Sequence, residues 1–181
     1  VHEVAAFGET QKANGWPDKI SAVLLGSCTN SSYADLAAAA QVLAQGVQHG
    51  LQAKIPLLLS PGSRRVYETI KRDGILEKLT RAGGLALAPS CGPCIGQWDR
   101  LDEDSGGSNC IFTTFNRNFR GRNDGNPETR AFLTSPAVAA ALSLSENPGF
   151  DPEKDLLRGK DGLDFRLNAP ERPGLPAGGL A

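Results

Sequence analysis

Short apolar runs alternate with polar turns along most of this chain. Ala22-Val23-Leu24-Leu25-Gly26 is apolar throughout and bounded by polar residues, the pattern of a strand buried on both faces. Ser27-Cys28-Thr29-Asn30-Ser31-Ser32 follows, a turn dense in side chains that cap helices. From about Tyr33 to Gln45 the Ala-, Leu- and Gln-rich sequence predicts a helix, with Gly46 near its end. The unit then recurs. Ile55-Pro56-Leu57-Leu58-Leu59 reads as a second strand, its proline confined to the strand start or an edge because it lacks an N–H. Ser63 caps a helix over about Arg64 to Arg72, Gly74 interrupts, and Ile75 to Arg81 forms another. Leu85 to Ala88 predicts a third strand and Asn109 to Thr114 a fourth. A loop rich in Asn, Arg and Gly follows from Phe115 to Arg130, and then a helix from Ser135 to Leu144 with Pro136 in its first turn.

Strands alternating with helices predict an α/β domain with a mainly parallel sheet. Residues 1–20 are polar and read as an irregular leading linker, 21–145 as the α/β domain, and 146–181, rich in Pro, Gly and charge, as an outgoing connector with a short hairpin around Gly159 to Asp164. Three of the four strands run out into segments holding Cys, Asn or Arg. Open α/β sheets bind ligands at the carboxyl ends of their strands, so the chemistry is expected there.

Composition narrows the function classes. The 181 residues suit one domain. The net charge of -1 supplies no basic field for holding nucleic acid or anionic membrane. Apolar stretches such as Leu36 to Leu43 fall far short of the ~20 residues of a membrane span. Four Cys are too sparse for a disulfide scaffold, so the thiols read as reduced, metal-bound or catalytic. The absence of any Met leads to the expectation of a piece processed or excised from a longer polypeptide.

Cys28, Cys91 and Cys94 all follow predicted strands, and parallel strands can bring the first beside the CxxC pair. Three readings compete with two buried, inert cysteines. The letters Cys91-Gly92-Pro93-Cys94 match a thioredoxin-type dithiol, whose first thiolate is activated at a helix N-terminus. Tetrahedral zinc would take Cys28, Cys91, Cys94 and Cys110, but Cys110 opens its strand whereas the others follow strand ends, which favours Cys110 as a small core residue. Three thiolates on a [4Fe–4S] cluster would leave one iron open to act as a Lewis acid.

Asn116-Arg117-Asn118-Phe119-Arg120-Gly121-Arg122-Asn123-Asp124 follows the fourth strand. Forked guanidinium donors match carboxylates in pairs, which makes this loop a carboxylate or phosphate clamp. The plainer alternative is a solvated turn with salt bridges to Asp124 and Glu128. Asn116 and Asn118 can donate to cluster sulfurs or substrate, or serve the turn itself. Trp98 is expected to pack over the site, the run Asp99 to Asp104 to form a solvated charged face, and His2 and His49 to lie on the surface. No GxGxxG or GxxxxGK[ST] accompanies Gly26, which disfavours nucleotide binding.

On these residues the chain resembles the aconitase family. Gly26-Ser27-Cys28-Thr29-Asn30-Ser31-Ser32 resembles its first cluster-cysteine motif and Cys91-Gly92-Pro93-Cys94-Ile95-Gly96-Gln97-Trp98-Asp99 its second. Asn116-Arg117-Asn118-Phe119 with Gly121-Arg122-Asn123-Asp124 and Asn126-Pro127-Glu128-Thr129 resembles its substrate loop. The similarity covers nearly the whole chain and is nearest the mitochondrial-type branch. It implies a three-layer α/β/α domain, the third of four, in which Cys28, Cys91 and Cys94 ligate a [4Fe–4S] cluster with one open iron. It further implies that Arg117 and Arg122 hold carboxylates of a tricarboxylate, supported by Asn116. Citrate and isocitrate would interconvert through cis-aconitate in the mitochondrial matrix, or alternatively the cytoplasm. The catalytic base is expected from another domain, the remaining domains of the parent chain being partners, and neither nucleic acid nor membrane is. Pro89-Ser90 stands where the family usually has Asn-Ala, and Arg130 where it has His. These departures leave a paralogue acting on homocitrate as an alternative, beside a non-catalytic Fe–S or metal-binding module.

Overall fold

The computed structural model describes residues 1–89, 91–100, 107–117, 119–172 and 174–181. Ser90, Asn118 and positions 101–106 lie outside them, and with them the Ser90 departure, the Asn118 donor and most of the expected charged face. Among the described residues, β1 (Ala22–Gly26), β2 (Leu57–Ser60), β3 (Gly84–Ala86), β4 (Asn109–Thr113) and β5 (Thr129–Leu133) form one sheet in the order β3-β2-β1-β4-β5. Every pairing in it is parallel. The helices are α1 (Phe7–Ala13), α2 (Tyr33–Gln48), α3 (Arg64–Arg72), α4 (Ile75–Arg81) and α5 (Pro136–Ser145).

The helix starts follow from their caps. Ser32 and Asp35 close a capping box at α2, the Ser32 hydroxyl accepting from the Asp35 N–H at 3.2 Å and the Asp35 carboxylate from the Ser32 N–H at 3.0 Å. Ser63 and Ser135 accept from Val66 and Val138 in the same way. Gly46 does not end α2. It lies inside the helix, where a Cβ would stand 2.8 Å from Leu144 Cδ1, so its bare backbone lets α5 pack closely.

Side-chain alternation gives the sheet two unlike faces. Val23, Leu25, Leu57, Leu59, Cys110 and Phe112 join Leu36 and Leu43 of α2, Ile70 of α3, Leu79 of α4 and Leu142 of α5 in the larger core. Ala22, Leu24, Leu58 and Ile111 face the other way and pack with Phe115, Leu87, Cys94 and Trp98. Helices, sheet and the segment 87–98, with its 3-10 turn Gly92–Ile95, make three layers. The chain runs outward from β1 through β2 to β3, then crosses to β4 on the far side of β1. The order therefore reverses between β1 and β4, the place where open α/β sheets bind ligands.

Two elements were not expected. β5 lies in the segment read as loop up to Arg130, pairing with β4 from Asn109↔Thr129 to Thr113↔Leu133. Residues 1–20, expected to be irregular, contain α1, whose Phe7 meets Phe112 and Phe132 edge-on at 5.4 and 4.9 Å between ring centroids. Toward the carboxyl terminus, β6 (Leu157–Arg158) and β7 (Asp164–Phe165) pair antiparallel. His49 fastens this hairpin, stacking on Phe165 at 3.9 Å and bonding Asp161 at 2.8 Å. Among the described residues no helix is long and apolar enough to cross a membrane.

Candidate functional site

The turn leaving β1 is tightly constrained. Gly26 has φ 141°, and a Cβ there would fall 2.1 Å from the Ser60 carbonyl oxygen of β2. Ser27 takes φ 84°, a left-handed conformation disfavoured for a side-chain-bearing residue. It is held there by its N–H donating to Ser60 O at 3.2 Å and by the Ser31 hydroxyl donating to its carbonyl. Cys28, next in sequence, is thereby presented to solvent.

The β1 turn is tied across the switch point to the end of β4. Thr114, 1% exposed, accepts from the Gly26 N–H at 2.8 Å through its hydroxyl oxygen. The Asn30 side-chain amide donates to the Thr114 carbonyl at 2.6 Å. Two residues on from Thr114 the chain emerges as Asn116 and Arg117, both exposed.

Cys91 and Cys94 bracket the 3-10 turn, which the Cys94 N–H closes by donating to Cys91 O at 2.6 Å. Gly96 ends it at φ 79°. Cys91 is exposed, whereas Cys94 is half-buried against the apolar patch beneath β1 and β4. Trp98 packs on the same patch. The substrate-loop segment leans on this turn. Asn123, 2% exposed, donates its amide to Pro93 O at 3.1 Å. Its neighbour Arg122 carries its guanidinium carbon 5.2 Å from the Phe119 ring centre. The Arg122 Nε is buried and meets no acceptor among the described residues. Arg120, by contrast, fulfils the plainer reading, bonding the Glu128 carboxylate at 2.5 Å on the surface.

Asp124 does not stay in solvent. Its carboxylate stands 3.5 Å from Arg100 Nη1 and accepts from the Thr129 hydroxyl at 2.6 Å, with Arg100 and Asp124 side chains each 4% exposed. Arg100 also donates to Asn109 Oδ1 at 2.6 Å and lies over Trp98 at 4.9 Å. This network fixes the loop where it returns to the start of β5. The sequence did not single out Asn30, Thr114 or Asn123, and it placed Arg100 in a solvated charged face, whereas that side chain is buried against Asp124 and Trp98. The only prior hint was the unusual density of Asn in the two turns.

The four thiols divide clearly. Cys110 is 1% exposed on the helix face, and burial pushes its thiol up to about 12, so it is an uncharged core residue. It faces away from the patch against which Cys94 packs, and a four-cysteine zinc site is not formed. Among the described residues no three His, Cys, Asp or Glu side chains stand close enough to hold a metal ion. Nor does Cys91 open an α-helix: a single 3-10 turn follows it, without the helix N-terminus on which a thioredoxin-type dithiol relies. What remains is three free thiols, Cys28, Cys91 and Cys94, carried by the segments after β1 and β3. Soft thiolates are the donors that iron–sulfur clusters take. A polynuclear cluster spreads its ligands over several metal atoms, so they stand farther apart than ligands of one ion. The donor set fits such a group on its chemistry.

The fold and these groups define a class: an α/β domain with a parallel sheet, presenting thiols and guanidinium groups at the carboxyl end of that sheet. The family model described as "Aconitase family (aconitate hydratase)" matches residues 2–145. The chain belongs to the aconitase family. It is 49% identical over 180 residues to the mitochondrial aconitate hydratase of Gracilaria gracilis, covering 99% of this chain and 23% of the relative. The mitochondrial aconitate hydratase of Emericella nidulans is 49% identical over 176 residues, 97% of this chain and 22% of its own. An aconitase-ribosomal protein bL21m fusion protein of Schizosaccharomyces pombe is 50% identical over 178 residues, 98% of this chain and 19% of its own. The chain thus spans about a fifth of the length of these relatives.

Proposed function

We propose that this chain is the cluster-bearing domain of an aconitase-type hydro-lyase, which in the whole protein interconverts citrate and isocitrate through cis-aconitate in the mitochondrial matrix. The carrying observation is the pairing of three free thiols with the buried Arg122 Nε, which meets no acceptor among the described residues, on the turn that packs against the CxxC segment. Cys28, Cys91 and Cys94 hold the [4Fe–4S] cluster. When bound, it supplies Lewis acidity at the iron left without a thiolate.

The remaining work belongs to the side chains. A buried donor without an acceptor costs about 1–3 kcal/mol, which a substrate carboxylate on Arg122 relieves. Arg117, exposed five positions earlier in the same loop, takes a second carboxylate through its fork, and Asn116 donates an amide hydrogen. Two held carboxylates fix which carbon loses its proton and which its hydroxyl, and hence the face on which water returns. The base that moves the proton comes from the larger part of the protein, of which this chain spans about a fifth. The homocitrate paralogue and the non-catalytic module are not favoured, since the relatives above carry aconitate hydratase or aconitase names.

Anaerobic reconstitution of the chain with iron and sulfide should give broad visible absorption near about 400 nm, the charge-transfer region of Cys-ligated clusters. Cys28→Ser should remove it. Colourless wild-type protein would overturn the proposal. In the whole enzyme, Arg117→Lys should raise KM for the tricarboxylate by about tenfold or more, as loss of the forked geometry implies; unchanged kinetics would remove Arg117 from the site.

A further inference from the structure

Two side-chain amides join the parts of the site. Asn30, two residues past Cys28, reaches 84 positions along the chain to the Thr114 carbonyl, three residues before Arg117. Asn123, adjoining Arg122, reaches 30 positions back to the carbonyl of Pro93, inside the CxxC turn. Each joint therefore connects a cysteine-bearing turn to an arginine-bearing one. Neither carbonyl belongs to a strand, but the joints differ: Thr114 is also tied to the end of β1 by its N–H on Leu24 O at 3.0 Å and its hydroxyl on Gly26, whereas Pro93 O takes the Asn123 amide away from any sheet ladder. The backbone beside the joints is held in unusual conformations: Ser27 is left-handed at φ 84°, and Gly96, whose neighbour across the joint is Arg122 O, takes φ 79°.

We infer that Asn123 and Asn30 are positioning residues that lock the thiol turns and the arginine loop into one rigid unit. The inference rests on the proposed function for what that unit binds, and not for the joints themselves. Asn123, almost wholly buried, is the stronger of the two. It holds the half-buried Cys94 and the half-buried Arg122 in a fixed relation, so loosening one loosens the other.

Asn→Asp replaces the donating amide with an acceptor of the same size, so it breaks the joint without opening a cavity. In the cluster-free full chain, Asn123→Asp should speed iodoacetamide labelling of Cys94 and phenylglyoxal modification of Arg122 together, each severalfold, as local opening at the shared joint becomes easier. Asn30→Asp should leave both rates unchanged. In the reconstituted chain, either variant should lose visible absorption to a chelator about 10–100-fold faster than wild type. A melting transition within a few degrees of wild type separates these effects from unfolding. Should Asn123→Asp fail to fold, Asn123→Ser keeps a shorter donor and should show the same paired increase. For Asn123→Asp, labelling rates equal to wild type, or a rise at Cys94 without one at Arg122, would overturn the inference at that joint, and a wild-type rate of absorption loss in Asn30→Asp would overturn it at the other. If wild-type protein takes up no cluster, the proposed function falls, and the labelling experiment still decides the joints.

Discussion

The two faces of the sheet are built differently. The helix face is a broad apolar core in which Leu43, Leu59, Ile70, Leu79 and Leu144 are almost entirely shielded from water. The opposite face has a small apolar patch, and its outer layer is coil held by named polar contacts: Asn30 on Thr114, Asn123 on Pro93, Arg100 between Asn109 and Asp124. Apolar burial is roughly additive in area and indifferent to direction, whereas a buried hydrogen bond is worth little unless its geometry is met. The helix face can thus stabilise the fold while tolerating small shifts. The other face fixes atoms in place and has little stability to spare.

That contrast predicts separable effects. Leu43→Ala on the helix face should cost about 2–5 kcal/mol, read as a fall in the urea midpoint at unchanged slope. Cys94→Ser on the other face should leave the midpoint nearly where it was and abolish cluster uptake. If Leu43→Ala proved mild and Cys94→Ser severely destabilising, the division of labour would be reversed. Asp124→Ala tests the polar layer itself. It takes one carboxylate from the buried Arg100 guanidinium, and breaking a buried pair typically costs about 3–5 kcal/mol. The low end is expected, because Asn109 still accepts from Arg100.

The same contrast explains what could be read in the sequence. The β1, β2 and β4 strands and the four long helical stretches announced themselves because apolar burial imprints a period on neighbouring residues. β5 did not: it is an edge strand whose Arg130 breaks the apolar run, with only Thr129 buried along it. α1 buries just Phe7 and Gln11, too few positions to establish a helical period. In the site, Cys28, Cys91 and Cys94 stood out by their chemistry and Arg117 and Arg122 by their density. The joints did not, because a bond between Asn30 and Thr114 spans 84 positions and leaves no local pattern. Asp124 likewise read as a surface partner of the arginine loop, since nothing in its neighbours reveals that Arg100 lies buried against it.

Cys110 sharpens the comparison through pH. Its thiol, pushed up to about 12 by burial, stays protonated in the folded chain while the unfolded chain ionises near the usual thiol value of about 8.5. The unfolded state then binds fewer protons between those values, so stability is fully present below about pH 8.5 and falls as pH rises, by about 1.4 kcal/mol per unit. Cys110→Ala should remove that slope, seen as the difference between the two proteins' midpoints from pH 8 to 10. A slope common to both would mean that Cys110 is not sealed in the core. At pH 8 iodoacetamide should label Cys28 and Cys91 while sparing Cys110.

The smallest effect concerns the outgoing chain, which crosses the solvent side of α2 without apolar burial of its own over much of its path. Gln45 accepts from the Asn168 N–H at 2.8 Å and donates to the Asn168 carbonyl at 3.1 Å. Gln41, one helical turn earlier, repeats the arrangement with Glu171 at 2.9 and 3.3 Å. Both clasps grip backbone only, so they hold a path and read no sequence. Being exposed, each is worth about 0.5–1.5 kcal/mol per bond at most. Gln45→Ala should accelerate amide exchange at Asn168 severalfold and leave exchange in β1 and β4 untouched, since the strap and the sheet open independently. If exchange at Asn168 did not change, Leu167, buried in the main core, would be the anchor, and apolar burial would hold the tail as it holds the helix face.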